Sequence, residues 1–328
     1  WTATEPTDFT DLKAHVAQLR WDQRLGTRAR LDSTFRWLTS ERAENYHEPR
    51  GITGGTVMQR EFRDQFRTND DWSWNANLNT PVRLGATTHD LSSGVEIVTQ
   101  DFLFRSATAR QASAGGPVPP LALIDPRYGV VDPASYGLTA DRYATETART
   151  RRVGLYAQDL IGLGAKVNVL VGGRVDTYDD SGFSAGRDLE ADQTAATGRL
   201  GVVFKPRPRL SIYGTVANGF TRAPVLTQSP SANGPHDPET ARQVEAGAKS
   251  EWLDGRVQLT GAFFTIVKQN VLRPDPEFGP TGDNFNAVLP VGAIRNRGVE
   301  IDLAGALRPG WNVAFNYAFL DSTITEDV

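Results

Sequence analysis

Strict two-residue alternation of side-chain type is the feature that most limits what this chain can fold into. From Trp311 to Phe319 every odd position holds a large apolar or aromatic residue, and the even positions hold small or polar ones. The same alternation recurs in 168–176, 243–252 and 299–303. Because successive side chains of a β-strand point to opposite faces, the sequence predicts an all-β fold whose strands have one apolar and one polar face.

The polar face of these strands carries full charges, among them Arg30, Asp32, Glu245, Lys249 and Glu300. Such charges face either bulk water beside a one-sided sheet or the watery lumen of a membrane barrel. The connections favour the barrel, because short turns alternate with long loops, as in bacterial outer-membrane barrels. Short connections are expected at 25–26, 84–86, 161–164, 205–208, 254–255 and 308–310, and long loops near 42–56, 108–141, 178–192, 219–240 and 271–293.

The number and length of the strands also favour a membrane. About twelve strands are expected, many of them long enough for the ~9–11 residues that cross a bilayer at a tilt. Trp252 and Trp311 lie beside short turns, where an aromatic belt would lie, although tryptophans that cap a soluble core are the alternative. The first strand changes phase near Ala17 and Leu19, which indicates a bulge or a sheet edge.

Composition excludes several other classes. No window holds the ~18 consecutive apolar residues of a membrane-spanning helix, which excludes a helical membrane protein. The mean hydropathy of -0.39 suits a soluble β-protein and a membrane barrel equally. Without cysteine the chain forms no disulfide, and its net charge of -4 is spread without a basic block, so nucleic acid is not an expected partner. The first residue is not methionine and the only methionine is Met58, so we expect a fragment or a processed chain.

Several strings resemble the barrel signature of TonB-dependent siderophore (ferric-chelate) receptors. Residues 153–159 followed by 172–176 are similar to that family's YxQD and GxRxD hairpin, and 210–220 are similar to its LSxY strand. Residues 238–249 match the string PExxxQxExGxK at every fixed position. Two further strings, 264–270 and 297–300, follow in the family's order, so the resemblance covers roughly residues 150–320.

The resemblance implies a transmembrane antiparallel β-barrel of the Gram-negative outer membrane. Transporters of this type are 22-stranded with a plugged lumen, so twelve strands would form an incomplete arc. Residues 1–328 are then expected to be part of one barrel domain, with the plug domain and the C-terminal strands absent. The implied function is import of ferric siderophores, with the TonB energy-transducing complex acting through a plug and outer-membrane lipids surrounding the wall.

No pattern in the sequence indicates catalysis or a bound cofactor. The four histidines, His15, His47, His89 and His236, lack a second histidine or a carboxylate at metal-ligand spacing, so a solvated or structural role is expected for them. The glycines at 162–164 and 172–173 precede neither a helix nor Lys-Ser/Thr, and no Gly-x-Ser-x-Gly string occurs. The expectation is therefore a protein that is not an enzyme, with no metal site and no cofactor.

A ligand site, if the resemblance holds, would lie in the external loops, where rings stack on a bulky chelate and arginine meets its charge. The candidates are Tyr128 and Tyr136 in the longest loop, Tyr178 and Phe183 in the next, Phe220 with Arg222, and Phe278. Packing within their own loops or in an upper aromatic girdle is the alternative role for these rings. The alternative functions are a passive porin-type channel and a surface β-structure for adhesion, and a hydroxamate, catecholate, cobalamin or carbohydrate ligand would all fit.

Overall fold

A single antiparallel sheet dominates the fold. The computed structural model describes residues 2–228, 232, 234–275 and 288–326. Within these residues the sheet has thirteen strands. They are β1 (Phe9–Leu25), β2 (Ala29–Thr53), β3 (Val57–Leu84), β4 (Thr87–Ala109), β5 (Leu121–Ala122), β6 (Ala144–Leu163), β7 (Val167–Ser184), β8 (Arg187–Arg207), β9 (Leu210–Thr221), β10 (Glu239–Trp252), β11 (Val257–Pro274), β12 (Val288–Arg308) and β13 (Trp311–Glu326).

The twelve long strands form a meander in which each strand pairs with the next one along the chain. The order runs from β1 through β4 directly to β6 and on to β13, while the two-residue β5 pairs with β3 off this path. The sheet is an open arc, with β1 and β13 as its two edges. The prediction of about twelve antiparallel strands in an incomplete arc is therefore confirmed. In the part of the chain that the structure describes, no helix has the length and apolar content that crossing a membrane requires.

Strand register explains the two faces of the sheet. Trp37 pairs with Trp72, and Phe263 pairs with Val299, so large apolar side chains lie side by side on what we call the outer face. Arg174 and Glu245 lie on the opposite, inner face, where their neighbours are also polar. The outer-face residues are exposed in the isolated chain, with Phe263 68% exposed. Apolar side chains exposed in a continuous band are what a lipid-facing wall requires.

Two of the five expected long loops are wrong. Residues 42–56 and 178–192 form the upper ends of two hairpins, whose strands continue to Thr53 and Val57 and to Ser184 and Arg187. Gly54 and Gly55 turn the first hairpin with φ of 59° and 74°, a conformation that glycine adopts without steric cost. The sequence of these regions resembles that of loops because the strands rise above the membrane. There both faces carry polar residues, and the two-residue alternation is lost.

The connections expected near 108–141 and 219–240 lie where they were expected, and most of the third, 271–293, lies outside the described residues. The connection between Ala109 and Ala144 holds β5 and three short 3₁₀ helices, Ala112–Ala114, Pro133–Tyr136 and Ala140–Arg142. A fourth, Val225–Gln228, follows β9. Between β11 and β12 the described chain stops after Asp275 and resumes at Val288. Strand β1 pairs with β2 without a register shift from Phe9 to Leu25, so its phase change marks a sheet edge and not a bulge.

The upper part of the outer face is covered by protein. Residues 2–8 and the 110–143 connection pack there against β2, β3 and β4, an assembly that we call the upper knob. Its apolar cluster holds Phe62, Ala109, Val118 and Tyr136. Phe62 and Trp72 are an even number of residues apart on β3, so they lie on the same face of the sheet. His47, which pairs with Phe62, lies on that face as well. Where the strands rise beyond the lipid, the upper knob covers the outer face in place of lipid.

Candidate functional site

Three of the expected ligand-binding residues come together at the upper ends of β7 and β9. The rings of Tyr178 on β7 and Phe220 on β9 have centroids 5.9 Å apart. Arg222, just after β9, places its guanidinium carbon 6.0 Å from the Tyr178 ring centroid, and its Nη1 lies 3.0 Å from Oδ2 of Asp180. We call Tyr178, Asp180, Phe220 and Arg222 the mouth cluster.

Strand geometry explains why these four residues meet. Tyr178 and Asp180 are two apart on β7, so both lie on the inner face with Arg174. Strand β9 pairs with β8 only as far as Ala217 opposite Arg199, and above that point it leaves β8. The side chain of Asn218 then bonds the β8 backbone, accepting from the amide of Gly198 at 2.6 Å and donating to the carbonyl of Ala196 at 3.1 Å. The separation lets the chain after β9 fold onto the inner face.

The segment 222–228 packs on β7 and β8. Val225 is 1% exposed, and its side chain lies against Gly182 of β7. Gln193 of β8 donates to the carbonyl of Ala223 at 3.2 Å. Apolar contacts and one backbone-directed hydrogen bond thus hold this segment beside the Arg222 ion pair.

Within the described residues, two buried oxygen atoms in this region have no hydrogen-bond donor. Asp180 is 1% exposed, and its Oδ1 has no partner in the part of the chain that the structure describes, although Oδ2 accepts from Arg222. Oε1 of Gln193 also has none. A buried acceptor without a donor is costly, which makes Arg222 the group on which the burial of Asp180 depends.

Tyr136 has a packing role in the upper knob. It is 6% exposed, and its ring contacts Phe62 at 5.3 Å and His47 at 5.7 Å between centroids. Nδ1 of His47 lies 2.7 Å from Oδ1 of Asp8, and its Nε2 lies 3.0 Å from the Tyr136 hydroxyl. His47 therefore has the structural role expected of it, and Tyr136 has no exposed ring face for a ligand.

The other candidates lie apart from the mouth cluster. Tyr128, half-buried in the 110–143 connection, accepts from the amide of Thr2 and donates to its carbonyl, both at 3.1 Å. Phe183 lies on β7, not in a loop, and its odd position puts it on the face opposite Tyr178. Phe278 lies outside the described residues. Ligand binding by any of the seven residues stays a prediction.

A cavity of about 600 Å³ lies lower on the inner face. Arg174 forms ion pairs with Glu96 at 2.7 Å and Asp176 at 2.6 Å, and the hydroxyl of Tyr156 donates to Asn77. Tyr156 and Arg174 lie in the sequence strings 153–159 and 172–176, which predict strand positions but no site. The signal that could have found them was their even spacing on facing strands, which puts both on the charge-lined face. The lining includes Asp32, Asn77, Ser92, Tyr156, Gln158, Arg174, Arg199 and Asn218.

Gly94 makes room for Tyr156. A Cβ at Gly94 would lie 2.6 Å from the Tyr156 hydroxyl and 2.7 Å from the carbonyl oxygen of Ala76. We expect Gly94→Ala to lower the free energy of unfolding by about 1–3 kcal/mol, because backbone and ring must both shift. Urea unfolding in lipid measures this, with Gly261→Ala as the matched control, since a Cβ at Gly261 meets nothing within 4 Å. Equal stability of the two variants would contradict the packing role.

Charges above the cavity neutralise one another. Glu44 pairs with Arg42 at 2.5 Å and with Arg67 at 3.1 Å, and Arg63 pairs with Glu48 at 2.5 Å and with Glu61 at 3.0 Å.

On the outer side, burial and then the hydrogen bond to Asp64 raise the pKa of Tyr143 to about 12. Within the described residues no group of three His, Cys, Asp or Glu side chains could hold a metal ion.

Comparison with proteins of known sequence gives a consistent set of relatives. The chain is 26% identical over 297 residues to the metal-pseudopaline receptor CntO of Pseudomonas aeruginosa, an alignment covering 83% of this chain and 37% of that protein. It is 30% identical over 181 residues to the ferrichrome outer membrane transporter/phage receptor of Escherichia coli, covering 55% of this chain and 23% of the relative. The chain thus spans less than half the length of these relatives.

Solved structures share the fold. The siderophore receptor PiuA of Acinetobacter baumannii superposes with a TM-score of 0.80 at 20% identity, over 98% of this chain and 48% of that chain. The ferric-catecholate import receptor Fiu of Escherichia coli superposes with a TM-score of 0.78 at 19% identity, over 99% of this chain and 49% of the Fiu chain.

The family model described as TonB dependent receptor-like, beta-barrel matches residues 1–328. Barrels of this kind lie in the outer membrane of Gram-negative bacteria, which agrees with the lipid-facing outer face. The match is to receptors and transporters, and neither porins nor adhesins are among these relatives. The chain belongs to the TonB-dependent receptor β-barrel family.

Proposed function

We propose that this chain forms barrel wall and ligand-binding mouth of an outer-membrane receptor that imports ferric siderophores or similar bulky metal chelates. The observation that carries the proposal is the mouth cluster, in which two rings and a guanidinium lie together at the upper ends of β7 and β9. Family membership supports it, as do relatives whose names describe metal-pseudopaline, ferrichrome and ferric-catecholate transport.

The mouth cluster offers two kinds of contact to a chelate. The Tyr178 and Phe220 rings are half-buried, so part of each ring is open to stack on an aromatic or flat apolar group. Among the described residues Arg222 uses Nη1 on Asp180, and the other N–H groups of its guanidinium remain for oxygen atoms of the ligand. Because Asp180 balances its charge, Arg222 contributes hydrogen-bond donors more than net charge.

The rest of the transport cycle depends on parts of the protein beyond this wall. A ligand that leaves the mouth cluster next meets the cavity lined by Tyr156, Arg174 and Arg199, whose polar groups suit a hydrated conduit. Residues 1–328 form part of one barrel domain, and a plug domain and further strands complete it. Release inward follows when a TonB-type energy-transducing complex pulls on the plug. No bond is made or broken in the ligand, so the protein is not an enzyme and needs no cofactor.

Removal of both rings should weaken ligand capture. We expect Tyr178→Ala with Phe220→Ala in the full-length protein to raise the Kd for its ferric chelate about 10- to 100-fold, because each stacked ring contributes about 1 kcal/mol or more. Isothermal titration calorimetry against ferric hydroxamates, ferric catecholates and metal-pseudopaline measures the change and identifies the ligand class.

The matched control removes two exposed rings from the outer face, Phe315→Ala with Tyr317→Ala. These rings are 52% and 50% exposed and lie on the lipid side, so affinity should not change. Loss of affinity in the control but not in the mouth variant would place the site elsewhere. A full-length protein that binds no chelate but conducts ions steadily in planar bilayers would support the porin alternative instead.

A further inference from the structure

Three arginines lie together on the outer face, where apolar side chains predominate. Arg242 on β10 pairs with Val267 on β11, and Val267 pairs with Arg295 on β12. Arg242 and Arg295 are thus level with each other and two strands apart, about 10 Å at the usual strand spacing. Arg297 lies two residues below Arg295 on the same face of β12.

The height of these arginines matches the outer edge of the lipid-facing band. Trp252 and Arg308 mark the short-turn ends of β10 and β12. Arg242 lies ten residues above Trp252, and Arg297 lies eleven residues above Arg308. Ten residues of a strand tilted by about 40° rise roughly 25 Å, which is the usual height of the apolar band of a membrane barrel. The three arginines therefore lie where the head groups of the outer leaflet begin.

Two of the three arginines are unpaired. Arg242 and Arg295 form no ion pair or side-chain hydrogen bond in the part of the chain that the structure describes. Arg297 donates through Nε to Asp321 at 2.8 Å, and its side chain remains 60% exposed. Unpaired guanidinium groups at a membrane boundary favour an anionic partner, and phosphate accepts the paired N–H groups of arginine.

An apolar groove begins directly below the arginines. It has a volume of about 600 Å³ and is bounded by Val244, Phe263, Val299 and Phe319 beside Arg297. Phe263 is 68% and Phe319 is 55% exposed, so the groove opens toward lipid. A ligand that filled both parts would need an anionic head above and hydrocarbon chains below.

We propose that Arg242, Arg295 and Arg297, with this groove, form a binding site for one phosphate-bearing lipid of the outer leaflet. The lipid phosphates bind between Arg242 and Arg295 and against Arg297, and an acyl chain lies across Phe263 and Phe319. The site anchors the β10–β12 part of the wall at a fixed height. It depends on the outer-membrane position of the barrel and not on the ferric chelate, so it stands or fails separately from the transport proposal.

Lipid counting by native mass spectrometry tests the site. Full-length protein in neutral detergent is titrated with diphosphorylated lipid A and with the same glycolipid stripped of its phosphates. We expect one phosphorylated lipid to be retained, and Arg242→Gln with Arg295→Gln to weaken retention about 10- to 30-fold, as expected for two arginines at an anionic surface. Arg242→Lys with Arg295→Lys, which keeps both positive charges, should retain much of the binding.

The matched control, Arg199→Gln with Lys249→Gln, removes the same charge from the inner face. Heat-modifiable migration confirms that each variant is folded. Equal loss of lipid from both pairs, equal retention of the dephosphorylated glycolipid, or displacement of the lipid by excess inorganic phosphate would each overturn the proposal.

Discussion

Exchange of Glu5 for glutamine should release residues 2–8 and the 110–143 connection from the hairpin beneath them. Arg60 is 1% exposed, and its Nη1 lies 2.7 Å from Oε1 of Glu5. The same guanidinium donates to the carbonyls of Ala3 and Pro119, so it joins the two parts of the upper knob. Removing one partner of a buried ion pair costs about 3–5 kcal/mol, because the remaining charge is left without compensation.

Hydrogen exchange measures this release. Amides within 2–8 and 110–143 should exchange about a hundredfold to several thousandfold faster in Glu5→Gln, which corresponds to that cost, while the β6–β13 strands keep their protection. The control is Asp11→Asn, which removes the carboxylate of an exposed pair with Lys13; the Asp11 side chain is 58% exposed and that of Lys13 is 68% exposed. Unchanged exchange in Glu5→Gln would show that the Arg60 ion pair does not hold the upper knob in place.

The membrane part of the fold could be predicted because each side chain there faces one of two environments, lipid or water. Lipid on one side and water on the other force alternation, as in 311–319, and that pattern located the strands in sequence. Short turns such as Gly310, with φ of 78°, have a chemical signature of their own. The family strings then supplied the order of the later strands, and the family match bears them out.

The upper part could not be predicted in the same way, because its environment is not set by the membrane. Above the lipid, β2 and β3 carry ion pairs on one face and the upper knob on the other, so polar and apolar residues are mixed. Ala185 and Gly186 turn the β7–β8 hairpin with φ of 51° and 78°, although an Ala-Gly pair is not a strong turn signal. Burial of Arg60 depends on Glu5, which is far from it in sequence and has no local signal.

The candidate site was predicted in part. The sequence predicts Tyr178, Phe220 and Arg222 as ligand contacts because they are aromatic or charged residues near loops, and the structure brings these three together. Asp180 was missed, although it follows Tyr178 by two residues and so shares its face. Tyr136 was chosen for its place in the longest loop, but that loop folds back to cover Phe62 and buries the ring.

Arg222→Gln should detach the segment 222–228 from the inner face. The side chain of Asp180 has no exposure, and Arg222 is the donor to its Oδ2. Without that donor a buried carboxylate is left unpaired, and we expect a loss of about 3–5 kcal/mol in the docking of this segment. A nitroxide label on a cysteine at Thr227, followed by electron paramagnetic resonance, should change from restricted to free motion.

The double variant Asp180→Asn with Arg222→Gln separates positioning from ligand contact. With both charges removed, Ala223 and Val225 still bury their side chains, so docking of the segment should largely recover. If Arg222 also donates to the chelate, affinity stays low in this redocked variant; if it only positions the segment, affinity returns with docking. Free label motion that persists in the double variant would show that the ion pair itself, and not the unpaired charge, determines docking.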